Sequence, residues 1–304
     1  MYLVLPSGET SLIKKGFINI VLLILSIIPL RLIDFIGFIV GSLASIIPNR
    51  HLYTTKVNLE IVFPNKNKEE LKKLTRKSLI NSATTLLESG FVWKRLNNDN
   101  YQKYIKAEGF ESIKKELSKG KGLIIFTPHM ANIETLIFYL GLKTNCMIPF
   151  TKVKHKELNE IVLSARAKMG SKMREANLSG VKSMLVHLDS GGVVAVASDQ
   201  VPKNGKGGET ASFFGHQAKT ISLVGRLYSK RDVSIFSMVS LRKVNSKIRF
   251  HLRFSEELND FSKDPLKGTS TMNRELEKCI MLSPEQYAWE YKRFKKSSKE
   301  NLYK

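Results

Sequence analysis

The 304 residues, 42% of them hydrophobic, suffice for one large core, so one domain, or one domain with a small appendage, is expected. Lys and Arg number 49 against 27 Asp and Glu, a net charge of +22, which implies an anionic partner: nucleic acid, anionic lipid or an acidic protein. Two isolated cysteines, Cys146 and Cys279, exclude a disulfide framework and a cysteine metal site, and point to a reducing, cytoplasmic-side environment.

Residues 16–30, GFINIVLLILSIIPL, follow Lys14 and Lys15. The charge order is that of a signal peptide, but no small-residue cleavage site follows. Arg31 and Asp34 come next, then a second apolar stretch, FIGFIVGSLASIIP, ending at Pro48. A spanning helix needs about 20 apolar residues. Three readings stay open: a span that tolerates Arg31, a helical hairpin lying in one leaflet, and an ordinary buried helix pair. Positive charges flank the run on both sides, so orientation is weakly specified, a balance compatible with a monotopic anchor. Residues 1–50 are read as an N-terminal membrane anchor and 51–304 as the catalytic domain. The anchor tilts the meaning of the +22 charge toward anionic lipid surfaces.

NLEIVFPN, 58–65, reads as a short extended or turn segment closed by Pro64. From Lys66 to Leu96 the apolar spacing is helical, and a short amphipathic helix follows over 110–117. GLIIFTP, 122–128, is a continuous apolar run after a Gly turn, as a strand buried on both faces requires. HMANIETLIFYLGL is a loop entering a helix. Helices are expected at about 156–169 and 181–188, and a second buried strand, VVAVAS, at 193–198. VPKNGKGGET reads as a Gly-rich polar loop. Helix and strand continue through 220–254, and a helical pattern returns near 271–281. Strands alternating with helices predict an α/β fold with a mostly parallel central sheet flanked by helices.

His129 follows the first buried strand by two residues, and ligands of open α/β sheets bind at the carboxyl ends of strands. Glu134 lies five residues on. With a helix starting near Ala131, the two side chains converge. A neutral imidazole can take a proton from an attacking hydroxyl, and a carboxylate on its other ring nitrogen fixes the tautomer and stabilises the imidazolium. Backbone N–H groups at the helix start would meet the oxyanion. Asp199 and Gln200 end the second buried strand, on the same sheet edge if the strands are parallel, and are expected to line the acceptor pocket. Phe213-Phe214-Gly215 is expected in the core beside the site. Tyr287 and Trp289, with Lys292, Arg293 and Lys295, suit a membrane-interface or core-sealing C-terminal helix. The sequence contains no Gly-rich phosphate loop and no HExxH.

GKGLIIFTPHMANIETL resembles the late acyltransferases of lipid A synthesis, the lauroyl/myristoyl transferase group, and the wider glycerolipid acyltransferase superfamily, whose His-x4-Asp/Glu motif matches His129 and Glu134. NLEIVFP at 58–64, AEGFESI at 107–113, SDQ at 198–200, FFG at 213–215 and PEQYAWEYKRFK at 284–295 appear in family order, so the resemblance covers nearly the whole chain. It implies His129 as general base, Glu134 as its orienting partner, and substrate contacts from Asn132 and Arg166. Ala131 and Ile133 replace the usual Gly and aromatic residue. FTKVKH at 150–155 lacks the family's Arg, leaving Lys152 or Lys154 as a point charge for a phosphate.

The activity so implied is transfer of a fatty acyl group from a thioester donor, acyl carrier protein or acyl-CoA, to a hydroxyl of a lipid A precursor. It would take place on the cytoplasmic side of a bacterial inner membrane, with membrane lipids as partners and with no metal or cofactor. An acidic carrier protein would be drawn by the positive charge. Two alternatives stand beside it: another glycolipid, an aminolipid or a lysophospholipid as acceptor, and a non-catalytic basic membrane-binding protein. Nucleic acid is not expected, because the cations are spread along the chain without interleaved aromatics.

Overall fold

The computed structural model describes residues 7–151, 156–202, 207–295 and 302–303. The helices are α1 (Ser7–Ile27), α2 (Leu30–Ala44), α3 (Arg50–Val62), α4 (Lys68–Lys94), α5 (Phe110–Ser118), α6 (Glu134–Lys143), α7 (Lys156–Lys168), α8 (Leu178–Asp189), α9 (Leu223–Ser229) and α10 (Pro265–Met281). The strands are β1 (Ile105–Glu108), β2 (Leu123–Thr127), β3 (Cys146–Phe150), β4 (Lys172–Glu175), β5 (Val193–Ala197), β6 (Gly208–Phe213), β7 (His216–Ile221), β8 (Ser234–Arg242) and β9 (Phe250–Phe254). Seven strands form one sheet in the order β1-β9-β8-β2-β5-β3-β4. Every pairing in it is parallel except β8 with β9. The α/β expectation is met.

The sheet is buried because its central strands are apolar on both faces. Along β2, Leu123 and Ile125 enter one cluster with Leu136 and Leu140 of α6 and with Phe91 and Val92 of α4. Ile124 and Phe126 enter the opposite cluster with Met184 and Leu188 of α8, Leu227 of α9, and Leu276 and Ile280 of α10. Val193 and Ala195 of β5 face the first cluster, Val194 and Val196 the second. The period of two thus assigns alternate residues to two helical layers. Each fully buried Leu, Ile or Phe there contributes about 1.5–3 kcal/mol.

Three local expectations change. Residues 58–62 are the end of helix α3, not an extended segment. Asn49 caps that helix by accepting from the Leu52 N–H, and its buried side, Leu52, Leu59 and Val62, packs inward. Pro64 ends it, as Pro must. Asn58 lies within the helix and donates to the carbonyls of Trp289 and Tyr291 at 2.7 and 2.8 Å. Near the C-terminus, a single 3-10 turn at Pro284–Gln286 replaces the expected helix, and the following chain is irregular. Trp289 is fully buried there, its indole N–H donating to the Pro284 carbonyl at 2.7 Å, so it seals the core. Part of the Gly-rich loop forms β6, which pairs antiparallel with β7.

Helices α1 and α2 pack on α4. Gly41 permits the contact: a Cβ there would lie 2.3 Å from the Ile80 Cα. Asp34 of α2 receives Arg249 at 2.8 and 2.5 Å. Arg249 and Arg242 both grip the fully buried Glu88 of α4. Among the described residues no single helix is long and apolar enough to cross a membrane. Lys14–Ile27 and Leu30–Ala44 together meet that test, bent by 117°. Phe17, Ile20, Leu23 and Ile24 of α1, and Phe35, Phe38, Ile39 and Leu43 of α2, are exposed.

Candidate active site

β2 and β5 are adjacent parallel strands with Thr127 opposite Ala197. Two residues past those strand ends stand His129 and Asp199. Identical offsets on in-register parallel strands put two side chains at one point of the sheet edge. His129 Nδ1 lies 2.6 Å from Asp199 Oδ1, and the His129 backbone N–H donates to Asp199 Oδ2 at 3.0 Å. Both carboxylate oxygens are thus engaged by one residue, which fixes ring and backbone together.

The charges are consistent with this geometry. Burial opposes the His129 imidazolium, but the Asp199 carboxylate overrides it and raises the histidine pKa above its ordinary value. Burial likewise opposes ionisation of Asp199, and His129, with Arg293 behind it, holds the carboxyl below its ordinary value. Arg293 is fully buried, donates to the Lys219 carbonyl and Thr220 Oγ1, and lies over the Phe213 ring. An ionised Asp199 can only accept, so the ring proton sits on Nδ1 and Nε2 carries the free lone pair. The side chain of His129 is one-third exposed, at 33%, so that lone pair is reachable. Gln200 Nε2 stands 3.4 Å from it.

Glu134 does not hold the imidazole. Its carboxylate receives a two-pronged bond from Arg166, Nε to Oε2 at 3.0 Å and Nη2 to Oε1 at 2.6 Å, and a third from Trp93 Nε1 at 3.0 Å. The orienting contact expected of Glu134 is made by Asp199. Helix α6 begins at Glu134 rather than near Ala131, because Ala131 is left-handed, with φ 46°. That shift directs the Glu134 side chain toward α7 and α4.

Three backbone donors at the helix start are also taken. The Glu134 N–H bonds Asn132 Oδ1, the Thr135 N–H bonds the Asn132 carbonyl, and the Leu136 N–H bonds the Ile133 carbonyl. Asn132 Nδ2 is buried without a partner among the described residues. Lys152 lies outside the described residues.

The loop carrying His129 is clamped by the C-terminal segment. Ala288 N–H donates to the His129 carbonyl, Ala131 N–H to the Gln286 carbonyl, and Met130 bridges Tyr287. Burial, then the neighbouring Asp199 charge, pushes the Tyr287 phenol well above its ordinary pKa, so it stays neutral. Trp93, Tyr287 and Arg293 are parts of this site that spacing alone did not reveal. Asp199 is expected from the sequence at this edge as a pocket residue; its contact with His129 follows from the strand register.

A histidine held by a carboxylate, with its second nitrogen turned away from that carboxylate at the carboxyl edge of a parallel sheet, has the geometry suited to taking a proton from a hydroxyl. Residues 10–296 match the family described as bacterial lipid A biosynthesis acyltransferase. The chain belongs to that family and is an acyltransferase. It is 24% identical to a lipid A biosynthesis palmitoleoyltransferase of Escherichia coli K12 over 270 residues, 88% of this chain and 86% of that protein. It is also 24% identical to the lipid A biosynthesis lauroyltransferase of the same organism over 299 residues, 96% of each chain. A lipid A biosynthesis acyltransferase of Haemophilus influenzae is 23% identical over 275 residues, 88% of this chain and 83% of that protein.

Proposed function

We propose that this enzyme transfers a fatty acyl group from a thioester donor, acyl carrier protein, to a hydroxyl of a lipid A precursor. His129 acts as the general base and Asp199 holds it. The observation that carries this reading is the 2.6 Å contact between Asp199 and His129 Nδ1, which leaves the Nε2 lone pair facing only the 3.4 Å contact from the Gln200 amide among the described residues. The acceptor hydroxyl gives its proton to Nε2 while its oxygen attacks the thioester carbonyl. The tetrahedral intermediate collapses, the carbon–sulfur bond breaks, and the imidazolium returns the proton to the leaving thiolate. Asn132 Nδ2, a buried amide without a partner among the described residues, is the donor offered to the oxyanion. Arg166 and Glu134 form the neighbouring wall, where a charged substrate group would lie. The apolar faces of α1 and α2 rest in the lipid surface, and the net charge of +22 favours both anionic lipid and an acidic carrier protein. On this reading the enzyme works on the cytoplasmic side of the inner membrane, where an acyl carrier protein reaches it.

The test is transfer of radiolabelled acyl chains from acyl carrier protein to the glycolipid. His129→Ala abolishes transfer while the protein still floats with vesicles. Unchanged turnover by that variant would refute the mechanism. An acyl product found only on a lysophospholipid or aminolipid would refute the acceptor.

A further inference from the structure

Beside the Glu134 network lies a cleft that the proton transfer does not use. It has a volume of about 250 Å³ and is walled by α1, α4 and α7. Lys15, Lys94 and Lys168, one from each helix, line it, and Glu160 is the one carboxylate among its described lining residues. Lys15 pairs with Glu160 at 2.8 Å, and Lys94 donates to Asn19 at 2.8 Å. Lys168 has no carboxylate partner among the described residues. The lining therefore carries an excess of positive charge, and a concave wall focuses it.

Two features give the cleft a direction. Trp93 lines it and also donates its indole N–H to Glu134, so one wall is shared with the network beside His129. Lys15 comes from α1, whose Phe17, Ile20 and Ile24 are exposed on the apolar hairpin. A ligand here would thus sit between the apolar hairpin and the catalytic edge. Pockets that hold a whole drug-sized ligand run to about 300–1,000 Å³, so this volume suits a charged headgroup with the rest of the ligand outside. Lysine is a compact point charge with three rotatable donors, adapted to a phosphate without the planar geometry of a guanidinium.

Resting on the acyl-transfer reading, we infer that the Lys15–Lys94–Lys168 cleft is a phosphate subsite that takes a phosphate group of a substrate. That group comes either from the headgroup of the lipid acceptor or from the phosphopantetheine arm of the donor. The N-terminal hairpin then contributes a binding residue as well as an apolar face.

The experiment is titration of the full-length protein in detergent micelles with a glycolipid carrying phosphomonoesters, and with the same glycolipid after phosphatase treatment. Wild type is expected to bind the phosphorylated form about tenfold more tightly, and Lys94→Gln/Lys168→Gln to lose that preference. Glu160→Gln, which removes the competing carboxylate, is expected to tighten binding. In acyl transfer, the double variant shows the loss in KM for the phosphorylated acceptor rather than in kcat. A lysine-dependent loss seen with a phosphopantetheine thioester instead assigns the phosphate to the donor. Lysine-independent binding of both ligands overturns the subsite. A wild type that transfers no acyl group but keeps the lysine-dependent binding refutes the acyl-transfer reading and leaves the subsite standing.

Discussion

Asp199 accepts from both the ring Nδ1 and the backbone N–H of His129, although 70 residues separate them. The contact is set by the register of β2 and β5, not by local sequence: Leu123 to Thr127 pair in order with Val193 to Ala197. Any carboxylate two residues beyond β5 faces any base two residues beyond β2. The sheet, among the most buried parts of the protein, therefore sets the geometry of the His129–Asp199 pair.

Replacing Asp199 by Asn should be the most damaging change short of removing His129. The amide can donate to Nδ1 and so stabilise the tautomer with its proton on Nε2, where the base is needed. A loss in kcat/KM of about 10³–10⁴ is expected. The pH profile supplies a second readout. The base must be neutral, and Asp199 raises its pKa, so wild-type activity rises with pH and its inflexion lies above that of an ordinary histidine. In Asp199→Asn, burial acts without the opposing carboxylate, and the inflexion moves to lower pH. An unmoved inflexion, measured as kcat/KM against pH, would separate Asp199 from the titrating group.

Glu134→Gln should be milder. Its carboxylate serves Arg166 and Trp93, and an amide keeps part of that network while losing the charge-assisted bonds. The difference between charged and neutral hydrogen bonds is about 1 kcal/mol, which corresponds to a five- to tenfold fall in kcat/KM. The Glu134 charge is a minor contributor to the raised His129 pKa, so the inflexion moves less than in Asp199→Asn. A collapse in Glu134→Gln equal to that in Asp199→Asn would mean that Glu134 acts on the imidazole directly.

The sequence made the apolar strands legible because both are continuous runs that only a doubly covered sheet accommodates. It placed His129, Asp199 and Gln200 on one edge for the same reason. It could not rank Glu134 against Asp199, since five residues of spacing are compatible with contact and the strand register is not written locally. The left-handed turn at Ala131 is what turns Glu134 toward Arg166, and an alanine gives no hint of it. The short strands β1, β3 and β4 passed unnoticed. Lys172–Glu175 carries three charged residues, and Ile105–Glu108 carries two. Trp289 suits an interfacial or a core-sealing place by type, and the long-range bond from Asn58 of α3 to its carbonyl, which no local pattern shows, accompanies the second.

The Glu88 cluster is expected to dominate the docking of α2 and α4 on the sheet. Glu88 is fully buried, and its side-chain bonds are to Arg242 and Arg249, the second of which also holds Asp34. Burial opposes its charge, and the two guanidiniums override that and depress its pKa. Glu88→Ala leaves the buried Arg242 without a carboxylate and Arg249 with Asp34 alone, a loss of about 3–5 kcal/mol and a fall in Tm of about 10 °C. Because the folded pKa is lowered, this stabilisation is present above the unfolded value of about 4.3 and is lost as pH falls through the folded one. Thermal melts from pH 7 downward should show that acid-dependent component in wild type and not in Glu88→Ala. A Tm within 2 °C of wild type at pH 7 would contradict the assignment.

Ala131→Gly should stabilise the protein. At φ 46° an L-residue strains its Cβ against its own carbonyl, costing about 1–2 kcal/mol, and glycine removes that strain. Glycine also frees the unfolded chain, which returns about 0.4–1 kcal/mol. The balance favours glycine by about 0.5–1 kcal/mol, a rise in Tm of about 2 °C. The two backbone bonds that hold the loop, Ala131 N–H to the Gln286 carbonyl and Thr85 Oγ1 to the Ala131 carbonyl, do not involve the methyl group. The loop therefore keeps its path and His129 its position, and kcat/KM should stay at the wild-type level. Ala131→Val tests the same strain with the opposite sign. A β-branched residue is poorly tolerated in this conformation, so the loop must move, and both Tm and kcat/KM are expected to fall. A valine variant as stable and as active as the glycine variant would show that the left-handed turn does not fix the path of the loop after His129.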